Sequence, residues 1–144
     1  MARSPHYSIL EYVYRDAANW KIWGGILLHE SITTADLRRI EAKLEGGAFV
    51  IPEKIGIDPL TSAHFSSARG ISQNDHLWHE FATARAATTE EVPRLSVWGT
   101  TAVLLELIDG VGDWNFKSSQ HYAAMHSKVV GNMDVSKMSR NRGA

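Results

Sequence analysis

An α+β fold with a mostly antiparallel sheet is predicted from three observations. Apolar and polar side chains nearly alternate over residues 7–15. They do so again over 20–28, where Trp20, Ile22, Gly24, Ile26 and Leu28 share one face at period two. Two later stretches change to other patterns: 34–45 repeats Leu37, Ile40 and Leu44 at helical spacing, and 101–109 is almost wholly apolar. The predicted architecture is therefore an N-terminal β-hairpin, one amphipathic helix, further strands and one buried helix.

Each element has its own local reason. Asp16-Ala17-Ala18-Asn19 separates the first two runs, and Asp and Asn suit a tight turn because their side chains bond nearby amides and Asn tolerates positive φ. Gly24-Gly25 interrupts the second strand and marks either a bulge or a place where another backbone or a ligand comes close. Ser31 to Thr34 offers an N-cap, Asp36 complements the helix dipole, and Gly46-Gly47 closes the helix. Arg38, Arg39, Glu41, Lys43 and Glu45 form its solvated face. Residues 48–51 predict a third strand returning beside the hairpin and ended by Pro52. Residues 59–70 read as loop or short helical turns, 76–83 as a strand, and 95–98 as a strand ending at Gly99. Thr100 or Thr101 caps the last helix, which stops at Gly110 and Gly112. Residues 1–135 are read as one domain, and 136–144, which has nothing to bury, as a loose tail.

Composition narrows the function classes. The balance of 15 basic and 16 acidic residues, a net charge of −1, provides no global field for non-specific nucleic-acid binding. The absence of cysteine excludes disulfides, thiolate metal sites and thiol nucleophiles, and suits a cytoplasmic location. No apolar run approaches the roughly 18 residues of a membrane span. Walker-type loops, dinucleotide fingerprints and serine nucleophile elbows are missing as motifs.

Two clusters carry candidate chemistry. Tyr14, Arg15, Asp16, Asn19, Trp20 and Trp23 crowd the hairpin turn, a set suited to a flat, charged ligand: Arg15 engages a phosphate or carboxylate, Trp20 or Trp23 stacks, and Asn19 and Asp16 provide polar edges. The competing reading pairs Arg15 with Asp16 as a plain surface contact, worth at most about 1 kcal/mol. Asp75, His76, His79 and Glu80 are the alternative, one histidine and one carboxylate acting in acid–base or metal-assisted hydrolysis. On a strand His76 and His79 point to opposite faces, so no shared metal is expected. His121 and His126, five apart, define no ligand pair.

The run Tyr14 to Lys21, the segment Gly47 to Gly56 and the run Asp75 to Glu80 together resemble a group of small uncharacterised bacterial and phage proteins. These segments span about half of the chain. The resemblance implies no activity. A remoter similarity, of size and composition alone, is to phage sponge proteins that sequester cyclic nucleotide signals of bacterial defence. The expected function is thus non-enzymatic binding of a nucleotide-like small molecule at the hairpin by a cytoplasmic, self-associating protein without cofactor or metal. The alternatives are a small histidine/carboxylate hydrolase and a protein-binding inhibitor or immunity-type module.

Overall fold

The Asp16–Asn19 turn forms as its composition requires. In the computed structural model, described over residues 6–66, 70–72, 74–119, 121, 122 and 125, Asp16 Oδ1 accepts from the amides of Ala18 at 2.9 Å and Trp20 at 2.8 Å. Asn19 takes φ 70°, the left-handed conformation that asparagine tolerates. The turn joins β1 (Tyr7–Arg15) to β2 (Lys21–His29), antiparallel from Tyr7 opposite His29 to Arg15 opposite Lys21. That register is unbroken, so Gly24-Gly25 marks no bulge in the hairpin. A Cβ on Gly24 would lie 2.4 Å from Leu60 Cδ2 and 3.3 Å from Tyr12 Cε1, so a side chain here requires the Leu60 side chain to shift; what comes close is a side chain, not a backbone or a ligand. Gly24→Ala should cost about 1–3 kcal/mol through overpacking. In a double-mutant cycle with Leu60→Ala, a coupling near zero would refute the contact.

Helix α1 (Thr34–Lys43) begins with a capping box, in which Thr33 Oγ1 accepts from Asp36 N and Asp36 Oδ2 accepts from Thr33 N. The chain then makes β3 (Phe49–Val50), a 3-10 turn at Pro52–Ile55 and the short helix α2 (Thr61–Ser66). Strand β4 (His79–Ala86), helix α3 (Glu91–Arg94), strand β5 (Val97–Thr100) and helix α4 (Thr101–Asp109) follow.

Among the described residues five strands lie in the order β3-β4-β1-β2-β5, and only the β2–β5 pairing is parallel. The fold is α+β with a mostly antiparallel sheet. Strand β3 does not lie beside the hairpin as expected, because β4 intervenes and pairs with both. Strand β4 also starts three residues later than expected, since His76-Leu77-Trp78 is committed to side-chain bonding described below. A bulge does occur, between β1 and β4 at Glu11/Tyr12.

One sheet face, carrying Leu10, Tyr12, Ile26 and Leu28, packs with Ile40, Leu44, Ile55, Ile57, Leu104, Ile108 and Trp114 into the core. Arg39 on α1 pairs with Asp109 at the end of α4, and Trp114 Nε1 donates to Lys43 O at 2.6 Å. Helix α4 is capped by Thr100, whose Oγ1 accepts from Val103 N. It is buried along one side only: Leu104, Leu105 and Ile108 face inward, whereas Val103 and Leu107 are exposed, correcting the reading of a helix buried on most sides. Among the described residues no helix is long and apolar enough to cross a membrane. The tail 136–144 lies outside the described residues.

Candidate functional site

The six hairpin residues do not make one surface. Strand alternation separates them, and the interior claims two outright. Tyr14 is fully buried, and its Oη donates to Asp75 Oδ1 at 2.6 Å. Asp16 is buried and spends Oδ1 on the turn amides. Arg15 donates from Nη1 to Asn19 Oδ1 at 3.0 Å, and its Nε lies 3.4 Å from Glu80 Oε2, so the guanidinium is tied to the hairpin end. Trp20 rests on the His64 ring, 4.7 Å between centroids, on the side of the sheet that carries Tyr14. Trp23 lies on the opposite face, 58% exposed.

Asp75, His76 and His79 form a buried polar cluster around Tyr14. The expectation that the two imidazoles face opposite ways fails: their rings sit 5.0 and 5.5 Å from the Tyr14 ring, because His76 precedes the strand and does not alternate with His79. The ring nitrogens are assigned by their partners. Trp78 N donates to His76 Nδ1 at 3.0 Å, so His76 carries its hydrogen on Nε2 and donates to Arg15 O at 2.5 Å. Leu60 N donates to His79 Nε2 at 3.0 Å, so His79 carries its hydrogen on Nδ1 and donates to Leu77 O. Burial pushes His76 down to about 4 and His79 down to about 3, so both stay neutral at pH 7. With every ring nitrogen bonded to backbone, neither imidazole offers the lone pair that a metal or a general base needs. Among the described residues no three His, Asp or Glu side chains are grouped to hold a metal ion.

His64 completes this cluster and was not legible in the sequence, lying in a stretch without periodicity. Its Nε2 meets Asp75 Oδ1 at 3.1 Å, and since a carboxylate only accepts, that nitrogen carries the hydrogen. Asp75 Oδ2 accepts from Ser72 N at 2.8 Å, and Tyr14 Oη accepts from His76 N at 3.2 Å. Burial, then the bond to Asp75, raises the Tyr14 hydroxyl far above its ordinary value, so it remains a donor. The cluster holds the β1–β4 end of the sheet to α2.

One open feature is on the other face. A trough of about 260 Å³ is lined by Ile9, Glu11, Trp23, Gly24, Gly25, Arg85, Glu91 and Leu95. Gly25 provides a floor without a side chain, opposite Glu11 in the hairpin register. Arg85 is held between two carboxylates: Nη1 and Nη2 donate to Glu91 at 2.7 Å each, and Nε lies 3.4 Å from Glu11 Oε1. The Arg85 pairing, supported by the Thr88 amide, pulls Glu91 down to about 2. The trough thus carries one negative charge more than positive, while Lys21, two residues from Trp23 on the same face, is exposed and cationic. No family model, curated protein or solved structure matches the chain.

Proposed function

We propose that this protein binds a nucleotide-like small molecule on the outer sheet face, with an aminated flat ring stacked on Trp23 and an acidic group directed to Lys21. The observation that supports this reading most is the exposed Trp23 indole beside a side-chain-free floor at Gly25. An indole on a sheet is a stacking platform, and base–aromatic stacking is worth about 1–3 kcal/mol. Glu11 and Glu91 favour ring amines over a phosphate at the inner end, so the anion belongs at the Lys21 end. At about 260 Å³ the trough is just below the usual roughly 300–1,000 Å³ of small-molecule sites, which suits the ring alone with the rest of the ligand on open surface.

Calorimetry with adenosine and guanosine monophosphates tests this. Trp23→Ala should weaken binding about 5- to 150-fold, the equivalent of that stacking energy. Lys21→Ala should weaken the nucleotide but not the nucleoside. Trp20→Ala, whose ring sits on His64 at the other face, should leave affinity unchanged. Absence of binding by the native protein, or undiminished binding by Trp23→Ala, would remove the reading.

A further inference from the structure

A second constellation lies at the far end of the core face, where the Pro52–Ile55 turn closes at Gly56, φ 74°. It borders an open cavity of about 440 Å³ lined by Glu53, Gly56, Ile57, Asp58, Pro59 and Ser62. Ser62, in the first turn of α2, places Oγ 3.3 Å from His121 Nε2. One further contact touches that imidazole, and another fixes the backbone that carries it. The ring of Phe65 meets it edge to face, 5.0 Å between centroids at 86°. Behind it, His121 N donates to Ser119 Oγ, which donates to Glu53 Oε2 at 2.5 Å, tying the residue to the cavity wall. A hydroxyl lining a cavity and bonded to a positioned imidazole is the arrangement that activated serine nucleophiles share.

We propose that Ser62 and His121 form a nucleophile–base pair that cleaves small esters with an uncharged or cationic acyl group. Ser62 Oγ attacks the ester carbonyl carbon as its proton passes to His121 Nε2. The tetrahedral intermediate expels the alkoxide, which takes that proton from His121 and leaves as an alcohol. Water, deprotonated by the same nitrogen, then attacks the acyl-serine. Collapse releases the carboxylic acid and returns the proton to Ser62. Two carboxylates, Glu53 and Asp58, line the cavity and repel an anionic acyl group. Burial holds His121 below the ordinary imidazole value, opposed by Glu53, so the ring is neutral and basic at pH 7. The groups whose charge bears on it are Glu53 and the neutral, buried His79.

The test uses the full chain and a fluorophosphonate probe, followed by intact mass and peptide mapping. One phosphonyl group should attach at Ser62 and be absent from Ser62→Ala. His121→Gln should slow labelling about 10²- to 10⁴-fold, the usual contribution of a general base. The native labelling rate should fall as pH drops through the lowered His121 titration. p-Nitrophenyl acetate should turn over faster than the hemisuccinate. The chain contains no cysteine. Ser62→Cys therefore gives an independent reading: its thiol should react with iodoacetamide at pH 7 faster than that of Ser66→Cys, an exposed position on the same helix. No labelling at Ser62, an unchanged rate in His121→Gln, or equal reactivity of the two thiols would each overturn the proposal.

Discussion

Asp75→Ala is expected to lower stability by about 3–5 kcal/mol, the range for removing one partner of a buried charged or hydrogen-bonded pair. Asp75 is 1% exposed and accepts from Tyr14 Oη, His64 Nε2 and Ser72 N. Truncation leaves the buried Tyr14 hydroxyl and His64 ring N–H without an acceptor, each costing about 1–3 kcal/mol, while the exposed Ser72 can turn its amide to water. A domain of this size typically has about 5–15 kcal/mol in total, so the variant should melt on the order of 10–15 °C lower. Asp75→Asn should lose less, because its carbonyl can still accept from Tyr14 while its amide opposes the Ser72 N–H. Urea unfolding is the measurement. A loss below about 1 kcal/mol for Asp75→Ala would show that the cluster does not hold the sheet to α2.

Acid should begin to destabilise the protein well above the range in which carboxylates titrate. His76 and His79 are held neutral by burial, with folded pKa values of about 4 and about 3 against an ordinary 6.5. The unfolded chain therefore binds more protons below pH 6.5, so stability is full above that value. It falls with pH until about 4 for His76 and about 3 for His79. Each contributes a slope of about 1.4 kcal/mol per pH unit inside its window, and together they remove on the order of 3–4 kcal/mol between pH 7 and 5. Carboxylates held low, such as Glu91 beside Arg85, act only below about 4.5 and do not contribute there. Urea midpoints at pH 7.5 and 5.0 measure the effect. Equal midpoints would mean that the two rings titrate in the folded protein as they do in the unfolded chain, against the lowered values.

Elements specified by near neighbours were legible before any coordinates. Alternation and an Asp/Asn turn define the hairpin, and Thr33 with Asp36 starts α1, because those signals lie within a few residues of where they act. Long-range partnership was not. Nothing near Val97 announces that it runs parallel to Leu27, and nothing near His64 announces Asp75. The start of β4 was misplaced for a related reason: His76 Nδ1 accepting from Trp78 N is a side-chain bond that diverts the backbone from the ladder, and it leaves no mark on apolar periodicity. The density of aromatics at the hairpin is visible in the sequence but their partition is not: four aromatics close in sequence reach three environments, the interior for Tyr12 and Tyr14, the His64 ring for Trp20 and the open face for Trp23. Ser62 and His121, 59 positions apart, offer no spacing to recognise.

The central place of β1 bears on how the chain is assembled. Its hairpin partner β2 is adjacent in sequence, but its other neighbour arrives much later, Val13 waiting for Glu80 and Ser8 for Ala86. On the ribosome the first strand therefore emerges with one edge satisfied and the other bare through the synthesis of α1, β3 and α2, an interval in which that edge can recruit a strand from elsewhere. The β1–β4 pairing, like the β2–β5 pairing, closes a long loop and is entropically costly to form. Once closed, the β1 amides have ladder partners on both sides and should be the last in the protein to exchange with deuterium.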